Sequence, residues 1–262
     1  NGTVTIKVNP IGSVLWSNTW TDEFYWGLEG SLAVDSLDNI YLASNIYGSF
    51  DQVALTKFDS NGQKLWSTIC GNETIKVKKI IIDNDQNLLV LCHKFDANGS
   101  LIFKYSKSGD FLWSANNIQN YSDIAIDQAN SVFTTGSTWF QSGNTSFITD
   151  KLDANGNFQW RRYYDYSEYS GFNSAEKIMI DKNGDIIVAG VSQWGQAIRN
   201  IPFSGTLIIP LTHYSFVKYS PNGDLIWNSI FPYKSLLGGP SAIVSMISDK
   251  AGNIYTAGSN KI

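Results

Sequence analysis

A chain of 262 residues that are 43% hydrophobic has the apolar material for a sizeable core and is far from a disordered composition. Charged residues are only 16%, while 14 Phe, 13 Tyr and 9 Trp favour strands over helices. A formal net charge of -4 offers no basic field to nucleic acid, and no apolar run approaches the roughly 18 residues of a membrane span. Starting at Asn1, the sequence reads as a mature chain or an excised piece of a longer one.

In chain order the first element is a Lys-x4-Gly-x3-Trp segment, Lys7–Trp16 (KVNPIGSVLW). It returns as Lys57–Trp66, Lys104–Trp113, Lys151–Trp160 and Lys218–Trp227. Each glycine (Gly12, Gly62, Gly109, Gly156, Gly223) sits where a tight hairpin turn needs a positive φ, and the flanks alternate with a period of two. A second pattern alternates with the first. It starts at Leu32 (LAVDSLDNIYLAS) and recurs from Ile80, Ile124, Ile178 and Met246. An apolar strand reaches Asp35, Asp83, Asp127, Asp181 or Asp249, turns, and is followed by another apolar strand. An aspartate at that place can hydrogen-bond the turn backbone.

Five groups of four strands make a five-bladed β-propeller of antiparallel blades, all-β. One domain is expected over 1–262, with blades at about 31–70, 78–117, 122–165 and 176–232. The fifth is shared between 245–262 and 1–20, closing the ring through the termini, since neither half-sheet could cover its own edges. These segments resemble the repeats of the SBBP-type β-propeller family over nearly the whole chain. The Gly-x-x-x-Trp half also resembles the tryptophan-docking repeat of quinoprotein propellers, whose cofactor-binding metal site has no counterpart here. The resemblance implies a scaffold and leaves function open.

In a four-stranded meander the Asp and Gly turns share one end of each blade, and every loop that differs among blades lies at the other. Five tryptophans (Trp16, Trp66, Trp113, Trp160, Trp227) repeat and are expected to pack between blades. The others, Trp20, Trp26, Trp139 and Trp194, fall in variable segments together with Tyr25, Tyr47, Tyr121, Tyr163, Tyr164 and Tyr166. Asp22, Glu23 and Asp165 lie among them. Aromatic faces beside carboxylates suit a carbohydrate or a protein partner, and the candidate ligand-binding set is Trp20, Trp26, Trp139, Trp194, Tyr25, Tyr47, Tyr166, Asp22 and Glu23. The same rings could instead cover the blade ends. The segment from Trp194 to Thr212 lengthens the fourth blade and is expected to form a cap or extra hairpin.

No nucleophile, zinc or phosphate-loop motif occurs, and no metal site or cofactor is expected. Asp83-x-Asp85-x-Asn87 and Asp181-x-Asn183-x-Asp185 lack the acidic twelfth position of a calcium loop. The expectation is therefore a non-catalytic, monomeric binding or scaffold domain at the cell surface or outside the cell. The alternative is a glycoside hydrolase, which would need paired carboxylates at a central channel, where the inner strands read as mainly apolar. Cys70 and Cys92 lie in neighbouring blades, as free thiols or a bridge.

Overall fold

The computed structural model describes residues 3–20, 30–46, 52–94, 99–117, 119–139, 144–165, 171–201, 205–231 and 240–260. They are strands and turns, with no helix among them. Two compact units divide the chain, Asn1–Ile118 and Gln119–Ile262.

In the first unit, β1 (Thr3–Val8) and β2 (Val14–Trp20) form a hairpin. The strands β3 (Gly30–Val34), β4 (Ile40–Ile46), β5 (Gln52–Phe58) and β6 (Lys64–Cys70) form a four-stranded meander. A second meander contains β7 (Ile75–Ile82), β8 (Leu88–Lys94), β9 (Ser100–Tyr105) and β10 (Phe111–Asn117). The second unit repeats the plan. Its first meander is β11 (Asn120–Ile126), β12 (Val132–Trp139), β13 (Thr145–Leu152) and β14 (Phe158–Tyr164). Its second is β15 (Asn173–Ile180), β16 (Ile186–Ile201), β17 (Gly205–Tyr219) and β18 (Leu225–Phe231). A hairpin of β19 (Pro240–Ser248) and β20 (Ile254–Asn260) ends the chain. The expected extra hairpin is present: β16 and β17 run on, paired to Ile201↔Gly205, past a bulge at Gln193 and Gly195.

The two turn families of the sequence are one turn. In the turn opened by Asp83, the Gln86 N–H donates to Asp83 O (3.0 Å) and the Asp83 N–H to Asn87 O (2.8 Å). The Asp83 carboxylate then accepts the N–H groups of Asp85 (2.9 Å) and Asn87 (2.7 Å). The other nine turns are closed by the same bond from the fifth residue's N–H, with Asp, Asn9, Ser106 or Ser220 as the acceptor. The fourth residue is left-handed throughout. Glycine holds that place in seven turns, while Asp38 (φ 62°), Gln86 (φ 65°) and Asn130 (φ 61°) hold the rest.

The Lys-to-Trp spacing follows from this turn. Each repeated lysine lies directly opposite its tryptophan across a hairpin: Lys7↔Trp16, Lys57↔Trp66, Lys104↔Trp113, Lys151↔Trp160 and Lys218↔Trp227. In two of these pairs both side chains reach the turn of the next sheet. Trp16 donates its indole N–H to Ser60 O (3.1 Å), and Lys7 donates to the same oxygen (3.2 Å). Trp160 and Lys151 share Pro221 O in the same way, at 3.2 and 3.1 Å. The rings also cover the turn glycines. A Cβ at Gly62 would stand 2.9 Å from Trp16 Cδ2, and one at Gly109 would stand 3.1 Å from Trp66 Cδ2.

Between sheets the cores are apolar. In the first unit Tyr41, Val53, Leu55 and Cys70 pack against Ile75, Val90, Cys92 and Leu101, with Trp66 at the margin. In the second, Phe133, Phe147 and Tyr164 pack against Ile178, Val188 and Val217, with Trp160 at the margin. Cys70 and Cys92 are both buried free thiols, and burial pushes the Cys70 thiol up to about 12.

The turn and the ring above it can be separated by two substitutions. Gly12 has a φ of 87° and open space around it, so Gly12→Ala is expected to cost about 1–2 kcal/mol for the left-handed backbone alone. Gly62, with φ 83°, has Trp16 and Asn18 against it, so Gly62→Ala is expected to cost at least about 1 kcal/mol more. Denaturant midpoints at unchanged m-value check this. Equal costs would mean that the indole is not fixed over the glycine.

Candidate functional site

Of the nine residues expected to bind a ligand, Trp139 is the one whose side chain is described. It ends β12 opposite Thr145 and is 64% exposed, whereas Trp16, Trp66, Trp113, Trp160 and Trp227 are all half-buried. Trp20 ends β2 and Trp194 lies within β16, with their side chains outside the described residues. Asp22, Glu23, Tyr25, Trp26, Tyr47 and Tyr166 also lie outside them. The sequence put Tyr121, Tyr163 and Tyr164 in loops, but they belong to strands. Tyr121 is buried and donates to Asp150, whose carboxylate Arg161 grips at 2.8 and 2.7 Å. Tyr164 packs on Phe147, and only Tyr163 (52%) is exposed.

The strands that open the meanders were expected to be mainly apolar, yet two of them carry carboxylates, one buried and one partly buried. Asp123 on β11 is 4% exposed and accepts the N–H groups of Ile124 (2.9 Å) and of Ile178 (3.1 Å) on β15. Glu176 on β15 is partly buried and accepts the Ile243 N–H of β19. Burial pushes the Glu176 carboxyl above its ordinary value, against the opposing pulls of that N–H and of Lys177. In the first unit neutral groups accept the two corresponding N–H groups, one of them from the second strand β4. Ser31 Oγ, at the position equivalent to Asp123, accepts the Ile80 N–H at 3.1 Å, and Asn45 Oδ1 accepts the Val77 N–H at 2.8 Å. Joining neighbouring opening strands therefore needs an acceptor but no charge. The two carboxylates exceed what folding requires.

A second departure lies in the same unit, toward the end of the sheets with the variable loops. Asn173, Ser192 and His213 stand side by side across β15, β16 and β17, with Gly190 opposite Ser215 one step further in. That face continues into Val188 and Val217, which pack against the β11–β14 sheet. All four polar side chains are at most 2% exposed. Asn173 is oriented from two sides: its Nδ2 donates to Thr145 O (2.7 Å) and to Asp165 Oδ1 (3.0 Å). Burial holds the His213 imidazole below its ordinary pKa. In the first unit the equivalents of Asn173, Gly190 and Ser215 are Ile75, Cys92 and Leu101, and the seam there is closed by apolar packing.

At the opposite end, a recess of about 260 Å³ lies among the turns, lined by Asp127, Gln128, Asp181, Lys182 and Pro221. Its Asp181 carboxylate is committed to Lys218 (2.7 Å) and to the turn N–H groups of Asn183 and Asp185. Among the described residues no group of three or more His, Cys, Asp or Glu side chains is placed to hold a metal.

No family model matches the chain, and no curated protein matches its sequence. Solved structures do. A Bacteroides caccae protein of unknown function superposes with a TM-score of 0.52 at 13% identity, covering 94% of this chain and 75% of that one. The periplasmic gluconolactonase of Pseudomonas aeruginosa gives 0.52 at 9% identity, covering 88% and 69%. An exo-1,5-α-L-arabinanase from a bovine ruminal metagenomic library is a looser likeness, 0.39 at 11% identity over 87% and 95%. The fold is propeller-type.

That finding corrects the expectation that the propeller is not an enzyme. Proteins of this fold include enzymes such as the gluconolactonase, and the opening strands carry Asp123 and Glu176 where an apolar lining was expected. Sequence periodicity missed both carboxylates because β11 and β15 carry register shifts at Tyr121/Asp123 and Ala175/Lys177. A bulge breaks the two-residue alternation from which facing is inferred.

The two classes of tryptophan are expected to separate on substitution. Trp160→Ala removes a half-buried ring and its bond to Pro221 O, for a cost of about 2–4 kcal/mol. Trp139→Ala, at 64% exposure, is expected to stay within about 0.5 kcal/mol. Thermal or denaturant unfolding of the two variants checks the contrast, and equal losses would contradict it.

Proposed function

We propose that this propeller acts on carbohydrate as a glycoside hydrolase, with Glu176 as the general acid and Asp123 as the second carboxylate. The observation that carries the reading is the pair of charged acceptors on successive opening strands, where Ser31 and Asn45 do the same folding work without charge. Glycoside hydrolysis needs one carboxyl kept protonated to donate to the leaving oxygen, and one carboxylate to attack the sugar or activate water. Burial of Glu176 supports the first role. The two peptide N–H groups on Asp123 fix that carboxylate for the second.

The exposed Trp139 ring gives a sugar a face to stack on, and the remaining aromatic candidates, Trp20, Trp26, Trp194, Tyr25, Tyr47 and Tyr166, would extend that surface beside Asp22 and Glu23. The SBBP-type resemblance and five N-x-S/T sequons favour an exported, cell-surface setting. The reading includes a ring of five blades in which β19–β20 and β1–β2 share one sheet. Ile40↔Phe58, Leu88↔Tyr105, Val132↔Leu152 and Ile186↔Tyr219 define the register of the complete blades, and by position it would set Ile254 against Val8.

Aryl glycosides and polysaccharides, screened with reducing-end detection, test the proposal. Glu176→Gln is expected to lower kcat by about a thousandfold while keeping an acceptor for the Ile243 N–H. A carboxyl whose folded pKa is raised stabilises the fold below the unfolded pKa, and that contribution is lost as pH rises. Glu176→Gln should therefore unfold no earlier than the parent at pH 7, and the parent's activity should fall as pH rises through the elevated Glu176 pKa. Hydrolysis that survives Glu176→Gln, or no hydrolysis on any substrate, would contradict the assignment.

A further inference from the structure

We propose that the seam between the β11–β14 and β15–β18 sheets, at the end with the variable loops, is a binding subsite for a sugar hydroxyl group. Asn173, Ser192 and Ser215 form it. The ligand class rests on the carbohydrate reading above, but the residues are different and no bond need be broken.

The argument begins with unmet hydrogen bonds. Asn173 Oδ1, Ser192 Oγ and Ser215 Oγ are fully buried, and none makes a hydrogen bond among the described residues. Leaving such a group unpaired costs about 1–3 kcal/mol, so three together in one seam need a partner. The amide of Asn173 cannot turn to relieve its oxygen. Both Nδ2 hydrogens are taken, by Thr145 O (2.7 Å) and Asp165 Oδ1 (3.0 Å), and a flip would set the oxygen against two acceptors. The oxygen is therefore an acceptor that needs a donor.

Folding does not ask for these residues. At the places equivalent to Asn173 and Ser215 in the first unit, Ile75 and Leu101 close the seam with apolar contacts. A Cβ at Gly190 would overlap Ser174 O and stand 2.7 Å from Phe147 Cζ, so the glycine lets these elements close in, and the polar set of the seam is one oriented acceptor and two hydroxyls able to donate or accept. Its direction is chemically selective. Asn173 Oδ1 accepts only and the serines do either, so the three groups of the site carry no charge of their own. A neutral, vicinally hydroxylated ring satisfies such a set, each hydroxyl acting as donor and acceptor at once. Asp165, exposed at the mouth of the seam, joins the site to solvent, and Trp139 ends the adjoining strand of the other sheet.

Thermal shift and calorimetric titration of the full chain with glucose, galactose, mannose, arabinose and inositol test the subsite. At least one of them is expected to raise Tm in a dose-dependent way. Ser192→Ala and Ser215→Ala should each raise its half-saturating concentration about tenfold or more, with the unliganded Tm unchanged or higher, since each removes an unpaired hydroxyl. A shift that both variants leave intact overturns the subsite. So does the absence of any shift, or a structure grown in the sugar that shows only water against Asn173 Oδ1 and Ser192 Oγ. The two proposals fail separately. Sugar binding without hydrolysis removes the hydrolase reading alone, and hydrolysis whose KM ignores Ser192→Ala removes the subsite alone.

Discussion

The structure depends on a turn whose first side chain caps its own backbone and whose fourth residue is left-handed. That geometry closes each hairpin and exposes the carbonyl of its second residue at the sheet end. Ser60 O and Pro221 O are the carbonyls that Trp16 with Lys7, and Trp160 with Lys151, take from the preceding sheet. Where glycine holds the left-handed place, no Cβ stands between the indole and the turn, as at Gly62 and Gly109. One local conformation thus sets the strand register, the lysine–tryptophan pairing and the docking of one sheet on the next.

The lysines show how this plan tolerates variation. Lys57 and Lys151 pass over the rings of Tyr41 and Phe133 to reach a turn carbonyl of the next sheet. Lys104 and Lys218 meet Leu89 and Ile187 on the adjacent strand and bind the turn aspartates of their own sheet, Asp83 at 2.8 Å and Asp181 at 2.7 Å. An aromatic neighbour stabilises a cation that reaches outward, and an aliphatic one leaves the carboxylate as the better partner. The sheets are equivalent in backbone and unequal in chemistry. The second unit holds the larger share of polar burial, in Asp123, Asp150, Asn173, Ser192 and His213 among others.

Much of the fold was legible because its rule is local. A nine-residue step from lysine to tryptophan fits inside one hairpin, so five copies could be read directly from the chain. That the Asp and Gly turns are one device was hidden, because Asn9, Ser106 and Ser220 replace the aspartate while Asp38, Gln86 and Asn130 replace the glycine. Asp123 and Glu176 escaped notice because bulges beside them invert the alternation. The Asn173–Ser192–His213 row was not legible at all. Its members are some twenty residues apart, and each looks like an ordinary strand-end polar group until register brings them together. The loop aromatics were read from their place outside the repeated positions, and Trp139 is the member whose exposure agrees with that reading.

The most direct measurement of the account is a double-mutant cycle between Trp16→Phe and Gly62→Ala. If the glycine is required because the indole lies against it, the smaller ring relieves the clash, and the two costs should differ from additivity by about 1 kcal/mol or more. Additivity within about 0.3–0.5 kcal/mol would mean that ring and turn act independently, and that the docking of tryptophan on the turn does not organise the fold.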